Sequence, residues 1–190
     1  PQLSVRGEAG RSLPAGVVVA RSGDGSAEAF RGFASRFSEL ANQRSGRVRN
    51  RANDVRQNRL ESINEALATR PILIRAESAI VGTVVVTVDG PQEAEGGLTL
   101  PQILVHAAEG ARAHIVVVLR NGGTTIARTK TIVDGGASLR LSIIVASGTR
   151  FLHDVASVDR DGRLDLGYLA ADGDPAMIDS SVTLAGEGAQ

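Results

Sequence analysis

Apolar residues recur along this chain at two different spacings, and the change from one to the other falls at Pro71. Before it, residues 27–41 carry Phe30, Phe33, Phe37 and Leu40 on one helical face, with Arg31, Arg36 and Glu39 elsewhere. That spacing predicts an amphipathic helix whose aromatic stripe docks on the rest of the protein. Ser26, after the break at Gly23-Asp24-Gly25, stands where an N-cap is needed. Residues 55–69 repeat helical spacing through Leu60, Ile63 and Leu67, and Pro71 ends the run. Upstream, Val17-Val18-Val19-Ala20 reads as a short strand. After Pro71 the apolar runs are short and β-branched: residues 72–75, 84–88 and 103–106, separated by Gly, Pro and Asp. These predict strands, and no helical spacing returns.

From residue 109 the strands become periodic. Gly110, Gly136, Gly162 and Gly188 recur every 26 residues, and an alternating run follows each of the first three. Set in register, the runs align Ala113, Leu139 and Leu164; Ile115, Leu141 and Leu166; and Val117, Ile143 and Tyr168. Arg112, His114, Ser138, Arg140, Arg163 and Asp165 fall between these columns, so one set faces a core and the other faces solvent. A second strand in each step is marked by Ile126, Phe151 and Ile178, and by Val133 and Val158. Two strands per step with matching columns predict a mainly β protein: a solenoid of about 26 residues per coil, each strand pairing with its counterpart one coil away. The expected organisation is residues 1–70 as an N-terminal strand and helical segment with an arginine-rich loop, and 71–190 as the solenoid core. The third run is one residue short, and Gly188-Ala189 opens a fourth, so the core is expected to be truncated at its C-terminus.

Composition narrows the chemistry. There is no cysteine, which removes disulfides, thiolate metal sites and a Cys nucleophile. Net charge is zero, so no global field attracts nucleic acid or membrane. Aromatic residues are 3% of the chain, which leaves the core to Val, Ile, Leu and Ala. The run of Arg44, Arg47, Arg49, Arg51, Arg56 and Arg59 has no interleaved aromatic and reads as a solvated loop rather than a nucleic-acid contact.

Three stretches resemble the SufB/SufD family of the SUF iron–sulfur cluster assembly system. They are residues 58–67 followed by Arg70-Pro71-Ile72-Leu73-Ile74; residues 103–113, with His106-Ala107-Ala108-Glu109-Gly110; and residues 130–139, with Val133-Asp134-Gly135-Gly136. The resemblance spans roughly residues 55–190 and rests on the order helix, Pro-led strand, strand pair, coils. It implies a right-handed parallel β-helix and a cytoplasmic, non-enzymatic scaffold. It also implies two partners: a SufB-like sister subunit or a second copy, met through the β-helix edge, and a SufC-like ABC-type ATPase, met through a region outside this chain. The lack of cysteine points to the SufD-like member. The family's step bearing a His, and its ATPase-contacting helices, would come after Gln190.

No residue is expected to be catalytic, cofactor-binding or metal-ligating. His106, His114 and His153 lack metal-pair spacing, although a solenoid would set His114 beside Arg140. Asp159, Asp161 and Asp165 hint at a calcium loop but lack its terminal Glu, and turn chemistry accounts for them. A polysaccharide-binding or polysaccharide-cleaving solenoid is the alternative, with Asp154 and Asp165 as its candidate carboxylates by elimination. The low aromatic content argues against a sugar-binding groove, which would use stacking rings.

Overall fold

The structure is a computed structural model that describes residues 2–7, 13–21, 23–42, 63, 71–89, 98–120, 123–146, 150–171 and 176–190. It is mainly β, with twelve strands and one long helix among the described residues. The elements are β1 (Gln2–Gly7), β2 (Val17–Arg21), α1 (Ala27–Asn42), β3 (Ile72–Ala76), β4 (Ala79–Asp89), β5 (Leu98–Thr99) and β6 (Gln102–Ala107). They continue as β7 (Arg112–Arg120), β8 (Thr124–Val133), β9 (Ser138–Ala146), β10 (Arg150–Val158), β11 (Arg163–Ala171) and β12 (Ala176–Leu184). The expected helix over 55–69 and the run from Arg44 to Arg59 lie outside the described residues, apart from Ile63, which is helical.

The strands form two sheets, ordered β1-β4-β7-β9-β11 and β12-β10-β8-β6-β3-β2, with β5 also paired to β8, and from β6 onward successive strands alternate between them. From β3 onward every pairing is parallel and joins a strand to its equivalent one step along the chain. The columns aligned in the first sheet are the observed partners: Ala113↔Leu139↔Leu164, Ile115↔Leu141↔Leu166 and Val117↔Ile143↔Tyr168. The step is not constant, being 31 residues from Ile72 to Ile103, 26 from Arg112 to Ser138 and 25 from Ser138 to Arg163. One alignment was out of register. Met177, not Ile178, pairs with Phe151 and through it with Ile126; Ile178 pairs with Leu152. A one-residue slip in a strand moves a side chain to the other face. Ile126 and Phe151 thus belong to the outer face, whereas Val133 and Val158 face the core.

The core lies between the sheets. Val84, Val86, Ile115, Val117, Leu141 and Ile143 meet Ile74, Val105, Val133, Leu152 and Val158, all essentially inaccessible to solvent. β6, β8 and β10 each pass to the next strand of the first sheet through a four-residue turn closed by an i→i+3 bond: Ala111 N–H to Ala108 O, Ala137 N–H to Asp134 O and Gly162 N–H to Asp159 O. The turns stack on one another too: Gly110 N–H donates to Gly135 O, and Gly136 N–H to Arg160 O. The third turn residue has positive φ, at Gly110, Gly136, Asp161 and Gly188. The glycine step therefore breaks at its third member, where Asp161 takes the left-handed place at φ 55°. Asp is among the few residues that tolerate it. Gly162 serves another purpose: a Cβ there would lie 2.9 Å from Asp159 O and 3.2 Å from Asp134 O.

The change near residue 70 is one of strand direction. β1 and β2 add antiparallel to β4 and β3, closing the N-terminal edge of each sheet. Helix α1 lies on the outer face of the second sheet, where Phe33 and Leu40 cover Leu73, Leu104 and Ile132, and Phe30 and Phe37 flank them. This is the docking that the aromatic stripe predicts. Ser26 occupies the cap position through its carbonyl, which accepts from Phe30 N–H, while its hydroxyl donates to Arg21 O.

Candidate functional site

Three features concentrate polar chemistry or unsatisfied surface. The first is a clamp that fastens α1 to the stacked turns. Arg36 donates from Nε to Asp134 Oδ1 at 2.9 Å, from Nη2 to Asp159 Oδ2, and from Nη1 to Glu39 one turn along the helix. Burial opposes the guanidinium charge, but these carboxylates outweigh it and raise the Arg36 pKa. Asp134 also receives His106 Nε2 at 2.7 Å, and the His106 ring meets Phe33 edge-on. Burial would raise the Asp134 pKa, yet His106 and Arg36 together hold it below the ordinary carboxylate range. Lys130 lies 5.5 Å from the Phe37 ring centre, adding a cation–π contact under the same helix.

The second feature is a carboxyl group inside the molecule. Asp154 points between the sheets and is fully buried. Thr129 donates to it from the neighbouring strand, and Tyr168 OH reaches it from the opposite sheet at 2.7 Å. Tyr168 OH also bonds Ser180 Oγ at 2.7 Å. Burial pushes the Asp154 pKa up despite these hydroxyls and the neighbouring His153. The Tyr168 pKa is raised by burial and by the Asp154 charge. Alternation along β8 and β10 is apolar only in part, because Thr129, Thr131 and Asp154 occupy inward positions.

The third feature is the far edge of both sheets. Among the described residues β11 and β12 have a strand on one side only. Val182 and Leu184 continue the columns of Ala156 and Val158, which are wholly buried, yet they are 49% and 57% exposed. Leu169 on β11 and Met177 on β12 are also exposed, at outward positions.

The residues singled out from sequence are dispersed. Asp165 lies on the outer face of the first sheet, paired with Arg140 at 2.9 Å, whereas Asp154 lies in the interior. These two carboxylates do not face a common space and form no hydrolytic pair. His114 sits beside Arg140 in the pairing register, as anticipated, and shares a 3.1 Å hydrogen bond with Thr83. His153 contacts Asp179 at 3.1 Å on the outer face of the second sheet. Asp159 is taken by Arg36 and by Arg160 N–H, so its role is in the clamp. Sequence reasoning missed Arg36 and the interior role of Asp154. The one local sign of the clamp was Glu39, three residues from Arg36 on the helix. No family model, curated protein or solved structure matches the chain. No helix among the described residues is long and apolar enough to cross a membrane.

Proposed function

We propose that the chain is a non-catalytic scaffold subunit whose two sheets are the walls of a right-handed parallel β-helix. Parallel strands joined by crossovers favour that hand because each strand twists to the right. The scaffold is SufD-like: a cytoplasmic protein of iron–sulfur cluster assembly that works with a SufB-like sister subunit, or a second copy of itself, and with a SufC-like ABC-type ATPase. The observation that carries this reading is the stack of parallel strands, each paired with its equivalent one step along the chain. The edge at β11 and β12, where Val182 and Leu184 are exposed, offers a template for another strand. A sister β-helix laid against it would cover the apolar column ends and complete the hydrogen-bond ladders.

Co-expression with a cysteine-bearing SufB-like subunit and an ABC-type ATPase tests the proposal. Both partners are expected to co-elute with the chain, and Val182→Lys with Leu184→Lys should release the sister subunit while the far-UV circular dichroism stays unchanged. A chain that retains neither partner and scatters light as a monomer at every concentration would end the scaffold reading.

A further inference from the structure

A cleft of about 660 Å³ separates the N-terminal half of α1 from the outer face of β3 and β6. Gly32 lines its helix side, and Arg75, His106 and Asp134 line its sheet side. Three details of this cleft are not explained by packing. Arg75 and His106 are register partners on adjacent parallel strands, so their side chains leave the sheet about 4.8 Å apart. Arg75 Nε is buried with no hydrogen-bond partner, and the side chain's ion pair is a 3.6 Å contact from Nη1 to half-exposed Glu77. His106 has committed Nε2 to Asp134, which orients the ring and leaves Nδ1 as its other polar atom.

The third detail is Gly32 itself. Glycine inside a helix is unfavourable because of the backbone entropy it loses. No atom lies within 4 Å of where a Gly32 Cβ would stand, so no neighbouring backbone demands glycine there. Gly32 lines the cleft, so a side chain there would stand on its wall. The charges facing this space are Arg36, Arg75, His106, Glu28 and Asp134. Arg36 is spent on Asp134, Asp159 and Glu39, and His106 Nε2 on Asp134, so the donors left to the cleft are Arg75 Nε and His106 Nδ1, with Glu28 as the remaining carboxylate.

We propose that this cleft binds a small oxyanion, the phosphate or carboxylate group of a small molecule, gripped jointly by Arg75 and His106. The Nε edge of a guanidinium presents parallel N–H groups that match two oxygens of such a group. His106 can donate from Nδ1 while it donates from Nε2 to Asp134 when both ring nitrogens carry hydrogen. The site stands on the geometry of α1 and the second sheet and is independent of the scaffold reading.

The test follows the histidine Cε1–H signals of the full chain by NMR, with inorganic phosphate added in one arm and malonate in the other. A saturable shift confined to His106, with His114 and His153 unmoved, is expected in at least one arm, and the responding arm identifies the oxyanion. Arg75→Gln should weaken binding roughly tenfold or more, the loss expected when a charge-assisted hydrogen bond is removed. Gly32→Leu should weaken binding with Tm unchanged or raised, because it sets a bulky side chain on the cleft wall and is the better helix former. The proposal is overturned if neither anion shifts His106 saturably, or if both variants bind as the parent does.

Discussion

Replacing Arg36 tests whether the clamp holds α1 on the sheet. Its side chain is 27% exposed, and the side chains of Asp134 and Asp159 that it bridges are 16% and 23% exposed. A hydrogen bond to a charged group is worth about 1.5–3 kcal/mol when well buried. Partial solvent screening lowers each of these two to about 1 kcal/mol, and the Glu39 pair, largely in water, adds a few tenths at most. Arg36→Ala is therefore expected to cost about 2 kcal/mol, or about 4–8 °C in Tm for a chain of this size. Arg36→Met keeps the aliphatic stem and separates lost packing from lost charge.

The loss should be local. If α1 lifts from the sheet as a unit, its amides should exchange about 30-fold faster in the variant, while those of β7 and β9 keep their protection. The pH dependence has a definite sign. The Asp134 pKa is depressed in the fold, so its stabilising contacts are present above the unfolded value of about 3.9 and are lost as pH falls through the folded value. The gap between parent and variant should accordingly narrow in acid. Urea melts of the three proteins across pH, with hydrogen exchange at neutrality, make the comparison. Equal stability of parent and Arg36→Met within about 0.3 kcal/mol, with unchanged exchange in α1, would refute the clamp.

Other sites give sharper local tests. Asp154 has a raised pKa, so between its unfolded and folded values the unfolded chain binds fewer protons and stability falls as pH rises. Asp154→Asn, which cannot ionise, should be more stable than the parent near neutrality and lose that advantage below about pH 4. A gap in urea midpoint that does not change with pH would contradict it. Leu141 and Leu166 share one column, but Leu141 is fully buried and Leu166 lies on the edge strand. Leu141→Ala should cost about 3 kcal/mol and Leu166→Ala about 1 kcal/mol in the isolated chain, and equal costs in thermal melts would mean that the edge is covered in solution. Gly162→Ala sets a methyl group against two backbone carbonyls and the Val158 side chain. It should destabilise by about 1–3 kcal/mol. A Tm equal to the parent's would show that the turns can move apart.

Much of the fold was legible because it rests on local spacing. Alternation along β7, β9 and β11 marks an inward side wherever one face of a strand is apolar and the other polar, and the columns followed without long-range information. The stripe on α1 was equally clear from its four large apolar residues. The second sheet was harder to read, for a physical reason. Leu73, Leu104 and Ile132 are buried under α1 while Ile74, Val105 and Val133 face the core, so apolar residues occupy both faces. Thr129 and Asp154 then place polar groups inside. With alternation blurred in this way, the register slipped by one residue at Ile178.

What the sequence determined by itself, then, is the strand alphabet, the repeat and the first sheet's inward columns, because each depends on neighbours a few residues away. Glycine at a turn can answer a demand for positive φ or for close approach, and Gly162 and Asp161 show that the letter does not say which. Only the tertiary structure decided that. It also brought Arg36 to Asp134 and Asp159, 98 and 123 residues distant in sequence, and enclosed Asp154 among hydroxyls from three strands. Charge pairing and burial act through space, and no local pattern in the chain carries a record of which carboxylate a given arginine will meet.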